Sequence, residues 1–232
     1  VRPVQRRAFA AEANVLFLED LGDGPDLAAI LHAGRDAPGD TPDAFDAFDA
    51  PAHGVSLGCF VGRLHLGTLG SPRWRGFHNG PVQQTREVVQ YRGAAIAALA
   101  PAGGVRPVRT ALAAHVAARA EALGKRLLGP GRCLVMGDLW PPSLLFRDNE
   151  WRLIDWEFAH FGQPLQDVAH LAAHVWMQRL MAADAAAAKR WEGFWASFTT
   201  GYREVAGSYL GRLFPPEEHA DVSAHAGAEI LT

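Results

Sequence analysis

The chain has 232 residues, of which 49% are hydrophobic and 20% charged, and a net charge of −3. This is the composition of a soluble domain with a sizeable core; it excludes a disordered, collagen-like or disulfide-rich chain and leaves little net charge for a broad grip on nucleic acid or anionic lipid. No run of about 18 apolar residues offers a membrane span, no apolar segment follows the N-terminal arginines as a signal peptide requires, and two unclustered cysteines, Cys59 and Cys133, fit a reducing compartment, so a cytoplasmic location is expected.

In chain order, residues 7–14 suggest a short helix, and Val15-Leu16-Phe17-Leu18 is a brief apolar run expected as a buried strand. Glu19 to Pro25 has turn chemistry, and Asp26 is placed to cap a helix through Leu31. Residues 33–52, rich in Asp, Ala, Pro and Gly, are expected as a loop. Helical spacing returns over Val55–Leu66, where Gly58 and Gly62 stand one turn apart and permit close contact with another helix. A Gly-, Pro- and Arg-rich loop at 68–80 precedes expected helices over Pro81–Leu99 and Val108–Leu123. After Gly129-Pro130-Gly131, the run Cys133–Met136 ends in Gly137-Asp138. Leu144–Phe146 and Trp151–Ile154 flank Asp148-Asn149-Glu150, a hairpin signal. Helices are expected over 164–181, 184–206 and 216–230, with Pro164 in a first turn that tolerates it.

A hairpin brings its outer ends together, so Asp138 before it and Asp155 and Glu157 after it become neighbours. Clustered carboxylates repel, and a hard cation such as Mg²⁺, bound through one or two carboxylates and substrate phosphates, relieves the cost. Ser143 adds a hydroxyl oxygen at the strand start, and one carboxylate remains free to act as a base. The simpler reading of the same residues is that aspartates at strand ends bond nearby backbone amides.

The order Gly-Asp-Leu-Trp-Pro-Pro-Ser, strand, turn, strand, Ile-Asp-Trp-Glu-Phe-Ala, then Pro-Leu-Gln-Asp-Val-Ala resembles the aminoglycoside phosphotransferase and choline kinase superfamily. The resemblance extends over about residues 6–230 and is specific mainly between 134 and 170. It implies an α+β, protein-kinase-like fold: residues 1–21 as a remnant of the N-terminal lobe and hinge, and 22–232 as a mainly helical C-terminal lobe with an embedded catalytic hairpin. It further implies ATP- and Mg²⁺-dependent transfer of a phosphoryl group to a hydroxyl of a small molecule. Asp138 would be the catalytic residue that takes or orients the hydroxyl proton. Asp155, Ser143 and Glu157 would be the metal positions, and Asp167 the brace of the catalytic loop, although an acidic first-turn residue also suits the helix dipole. Glu19, Asp20 and Leu21 match the hinge that meets adenine through backbone groups. The implied partners are a nucleotide and a small acceptor, with no nucleic acid and no membrane.

Three positions depart from the family pattern. Met136 stands for the usual His, Pro142 for a Gly, and Ser143 for an Asn. The Gly-rich loop and strand lysine of this fold should precede residue 15, yet those 14 residues hold neither lysine nor glycine, and the only lysines are Lys125 and Lys189. The expectation is therefore a chain cut short upstream or one that has lost its phosphate clamp, with Arg6 or Arg7 and Glu12 as remnants of a helix that pairs with the missing lysine. In the second case the protein is a catalytically degenerate binding or scaffold module. A third reading uses His170 and His174, one helical turn apart with Asp167 on the same face, as zinc ligands. A zinc protease of that spacing needs Glu where Leu171 stands. The aromatics Trp176, Trp191, Phe194, Trp195 and Tyr202 on the late helices either pack the interior or shape an acceptor pocket.

Overall fold

The computed structural model describes residues 1–10, 15–22, 24–33, 49–99, 110–147 and 150–231. Strand β1 (Arg2–Pro3) lies parallel to β6 (Glu150–Leu153), which is antiparallel to β5 (Leu144–Arg147), giving a three-stranded sheet. Strands β2 (Arg6–Ala10) and β3 (Val15–Leu18) form a second, antiparallel pair. Strands β4 (Cys133–Val135) and β7 (His160–Gly162) form a third. The helices are α1 (Leu27–Ala33), α2 (Ala50–Thr68), α3 (Gly80–Arg86), α4 (Gly93–Leu99), α5 (Thr110–Leu127), α6 (Leu165–Leu180), α7 (Ala185–Ala206), α8 (Leu210–Leu213) and α9 (His219–Leu231). A π-helical stretch, Glu87–Arg92, joins α3 to α4. The fold is α+β and mostly helical, and no described helix is long and apolar enough to cross a membrane.

The expected hairpin forms, with Leu144 opposite Leu153 and Arg147 opposite Glu150. It is anchored from within: Phe146 and Trp151 are buried with ring centroids 5.0 Å apart, and His53 meets both rings edge-on. Full burial of each such side chain is worth about 1.5–3 kcal/mol. Asp26 caps α1, its Oδ1 accepting from Ala29 N at 2.7 Å. The glycines of α2 serve the close approach that their spacing suggests. A Cβ on Gly58 would stand 2.0 Å from the Phe198 carbonyl oxygen of α7, and one on Gly201 of α7 would stand 2.2 Å from Val55 O. Trp191, Phe194, Phe198 and Tyr202 on α7 fill the core, so most of the late aromatics pack the interior; Trp176 is exposed.

Several expectations are corrected. Arg6–Ala10 is a strand and not part of a helix, because pairing with β3 outweighs its local propensity. Arg6 and Arg7 are therefore not on a helix that could pair with a lysine; Glu12 lies outside the described residues. Helix α2 begins at Ala50, capped by Asp49, inside the span read as a loop, most of which lies outside the described residues. Strands β1 and β7 had no signal of their own: at two and three residues they exist only through their partners. Strand β1 also ties the first residues to the hairpin, with Val4 N donating to Leu153 O at 2.9 Å.

Candidate active site

The site is built from the loop after β4, the turn before β5 and the turn after β6. Gly137 turns the chain at φ +84°, and a Cβ there would meet Phe158 O at 2.5 Å, so only glycine serves. Met136 and Leu139 are buried on either side, which leaves Asp138 as the loop's partly exposed side chain. The apolar plug at 136 thus anchors the loop in the core instead of hydrogen-bonding it.

Asp167, in the first turn of α6, is fully buried and holds this loop. It accepts from Met136 N at 2.9 Å and from Gly137 N at 2.7 Å, the two amides that precede Asp138. His65 on α2 lies 3.0 Å from it through Nε2, and Tyr202 Oη lies 2.8 Å from the other ring nitrogen. Burial alone would raise the Asp167 pKa; the His65 hydrogen bond and charge, with the two amides, hold it below the usual carboxylate value. The bracing role implied by the family is thus realised in the contacts, and Asp167 faces away from any use with the histidine pair of α6.

Asp138 Oδ1 receives Arg86 Nη2 at 3.2 Å and lies 3.1 Å from His170 Nε2. Arg86 comes from the end of α3, stacks over the Phe158 ring at 5.5 Å, and is itself held by Gln90 Oε1 at 2.8 Å. Its neighbours in the helix, Gln83, Glu87 and Gln90, are buried polar residues at helical spacing. That stripe of polar residues on a helix face is the signal in the sequence that marks Arg86.

Asp155 follows β6 in the left-handed region at φ 60°, a conformation aspartate tolerates better than most residues. Asn79 holds the turn after it, donating from Nδ2 to Glu157 O at 2.6 Å. Burial, then the charge of Glu157, then that of Asp138 push the Asp155 pKa up. Ser143 is fully buried; its hydroxyl donates to Trp140 O at 2.8 Å, and its carbonyl accepts Ile154 N at 3.0 Å, one residue before Asp155. The hydroxyl is thus committed to its own turn.

At the other edge, Glu19 is clamped by Arg2, with Nη2 to Oε2 at 3.0 Å, and accepts Gln5 N at 2.9 Å. The Arg2 hydrogen bond pulls its pKa down to about 2. Asp20 accepts Gly22 N at 2.8 Å, closing the turn beside Leu21. The side chains of Glu19 and Asp20 therefore shape this segment. Beyond it the chain runs along β5, where Phe146 N donates to Pro25 O at 2.9 Å.

A third cluster joins the histidine pair of α6 to a carboxylate from α9. His170 and His174 on α6 meet Glu229 of α9 at 3.2 and 3.4 Å. Among the described residues this is the one set of three or more metal-ligating side chains gathered within reach of a single ion. Asp138, Asp155 and Glu157 are more widely spread.

The loop bearing Asp138 and the turn bearing Asp155 both lie within a stretch that sequence comparison assigns to a family. The model of a phosphotransferase enzyme family matches residues 19–208. The chain belongs to that family. Asp138, Ser143, Asp155, Glu157, Asp167 and Arg86 all fall inside the phosphotransferase match, whereas Glu229 falls outside it. Among solved structures the fold is similar to a glucosamine kinase in two crystal forms. Form A gives a TM-score of 0.60 at 16% identity over 95% of this chain and 57% of that one. Form B gives 0.58 at 16% identity over 96% and 56%. The same kinase in complex with glucosamine, ADP and inorganic phosphate gives 0.58 at 16% identity over 94% and 57%. At that identity the likeness is one of fold, and this phosphotransferase-family chain spans little more than half the length of those structures. No curated protein is similar enough to the chain to count as a relative.

Proposed function

We propose that this chain is the catalytic, mainly helical part of an ATP- and Mg²⁺-dependent phosphotransferase whose acceptor is a hydroxyl of a small molecule. The observation that carries this reading is the Gly137–Asp138 loop. Two backbone amides on the buried Asp167 fix it beside a hairpin that ends in Asp155. Phosphoryl transfer asks little covalent chemistry of the protein and much positioning, and a rigidly held carboxylate meets that need. Asp138 holds the acceptor hydroxyl and receives its proton as the oxygen bonds to the γ-phosphorus of ATP and the bond from that phosphorus to the departing ADP oxygen breaks. Asp155 and Glu157 are the residues to hold Mg²⁺. Burial first, and then the charges of Glu157 and Asp138, disfavour the Asp155 carboxylate, and a dication would relieve that cost. When bound, the ion would neutralise charge on the nucleotide phosphates. Ser143 would join it through a lone pair of its hydroxyl oxygen, and because the residue is fully buried its turn would have to open to the ion. Residues 19–21 are the proposed adenine contact through their backbone, with residues 1–21 as the small-lobe remnant and 22–232 as the large lobe. The site is taken to work in the cytoplasm.

One observation favours the alternative, a degenerate kinase-like binding module. Oδ1 of Asp138, the oxygen that would meet the acceptor hydroxyl, is already engaged by Arg86 and His170. Two measurements separate the readings. Mg²⁺-nucleotide is expected to raise the Tm of the wild type, and release of ADP from ATP is expected with a panel of small hydroxyl compounds, amino sugars included. A nucleotide-dependent shift without turnover selects the binding module; neither signal refutes both.

A further inference from the structure

We propose that His170, His174 and Glu229 form a binding site for a transition-metal ion of the zinc class, separate from the Mg²⁺ position. Helix α6 places the two imidazoles one turn apart, with ring centroids 4.8 Å from each other. Helix α9 brings the Glu229 carboxylate between them, 3.2 Å from His170 Nδ1 and 3.4 Å from His174 Nε2. One donor atom from each of the three lies within 4.8 Å of the others. Around a tetrahedral ion with bonds of 2.0–2.1 Å, neighbouring donors are about 3.3 Å apart. The metal-free side chains therefore already stand near the required spacing and need only turn their lone pairs inward.

The donor chemistry selects the ion. Two imidazoles and one carboxylate suit zinc and its transition-metal neighbours, whereas Mg²⁺ and Ca²⁺ prefer oxygen throughout. Three protein ligands leave a fourth position for water. The surroundings are equally apt. His170 is almost fully buried, while His174 and Glu229 keep some exposure through which an ion can enter. The other nitrogen of His170 lies 3.1 Å from Asp138 Oδ1, the carboxylate–histidine pairing that orients metal-bound imidazoles. Gln90 Nε2 donates to Glu229, and the Trp140 ring lies 5.7 Å from that of His174. Arg86 is the opposing group. Its Nη2 stands 3.1 Å from His170 Nδ1 and 3.2 Å from Asp138 Oδ1, so binding requires it to give up the first of these contacts. An ion bound here would be linked to Asp138 through a single imidazole.

The site rests on these three side chains and not on the phosphotransferase reading, so either can fail alone. The test is a titration of the chelator-treated chain with Zn²⁺ by calorimetry and with Co²⁺ by visible absorption. One equivalent is expected to bind, with the intense bands of four-coordinate cobalt, and Mg²⁺ in excess should not displace it. His174→Ala and Glu229→Ala should each weaken binding by at least about 100-fold, beyond the roughly 10–100-fold typical of outer-shell partners. His115→Ala, on an exposed face of α5, should leave it unchanged. Circular dichroism and melting of each metal-free variant verify folding, and His174, being partly exposed, is the safer of the two substitutions. Absence of cobalt bands in the wild type, displacement by Mg²⁺, or undiminished binding in folded His174→Ala would overturn the proposal.

Discussion

Replacing Asp167 by alanine isolates the contact on which the placement of Asp138 depends. The carboxylate accepts from Met136 N, Gly137 N and His65 Nε2 at 2.9, 2.7 and 3.0 Å. Its removal strands two buried backbone N–H groups and an imidazole nitrogen, and each orphaned group costs about 1–3 kcal/mol. Part of that is offset, because alanine buries no charge. Breaking a buried pair by deleting one partner costs about 3–5 kcal/mol net. For a chain of this size each kcal/mol moves Tm by about 2–4 °C, so the variant should melt about 6–20 °C below wild type. The pH dependence follows from the lowered pKa of Asp167. Such a group contributes stability above its unfolded pKa and loses it as pH falls through its folded value. The gap between wild type and variant is therefore widest above about pH 4 and narrows in acid. Calorimetric melts of both proteins from neutral pH into acid measure it. Equal melting at neutral pH, or a gap that widens on acidification, would refute the bracing role.

Asp155→Asn keeps a residue suited to the left-handed turn but removes a carboxylate that burial, and then Glu157 and Asp138, disfavour; the metal-free variant should melt above wild type and lose the Mg²⁺-nucleotide shift, both read by thermal denaturation. Asp138→Asn should retain that shift and lose turnover, a split that nucleotide titration and an ADP-release assay resolve. Gly58→Ala forces a methyl against Phe198 O at 2.0 Å; overpacking of this kind costs about 1–3 kcal/mol, against a helix-propensity gain of about 1 kcal/mol, so Tm should fall. Gly67→Ala on the same helix meets nothing within 4 Å and should raise Tm through propensity alone, so a lower Tm for Gly67→Ala than for Gly58→Ala would sink the close-packing account.

The legible parts of this protein are those encoded locally. The hairpin was readable because two short apolar runs flank a turn of Asp, Asn and Glu, and α1 because Asp26 stands where a cap is needed. The order Gly137-Asp138, hairpin, Asp155, Asp167 was readable because those residues lie close in the chain and in a family-specific order. The misread stretches are those whose state depends on a distant partner. Arg6–Ala10 became a strand because Val15–Leu18 pairs with it, and His160–Gly162 because Cys133–Val135 does. Arg86 and Glu229 reach Asp138 and the α6 histidines from helices remote in sequence.

Alone, the sequence determined the family, the helical periodicity, and which carboxylates flank the hairpin. Tertiary structure decided what those groups touch: that Asp167 faces two amides and His65 rather than the α6 histidines, that the Ser143 hydroxyl turns to Trp140, and that Glu229 completes the histidine pair. The physical reason is that periodicity marks which face of an element is buried, whereas the partner of a buried polar group is chosen by whichever element packs across from it.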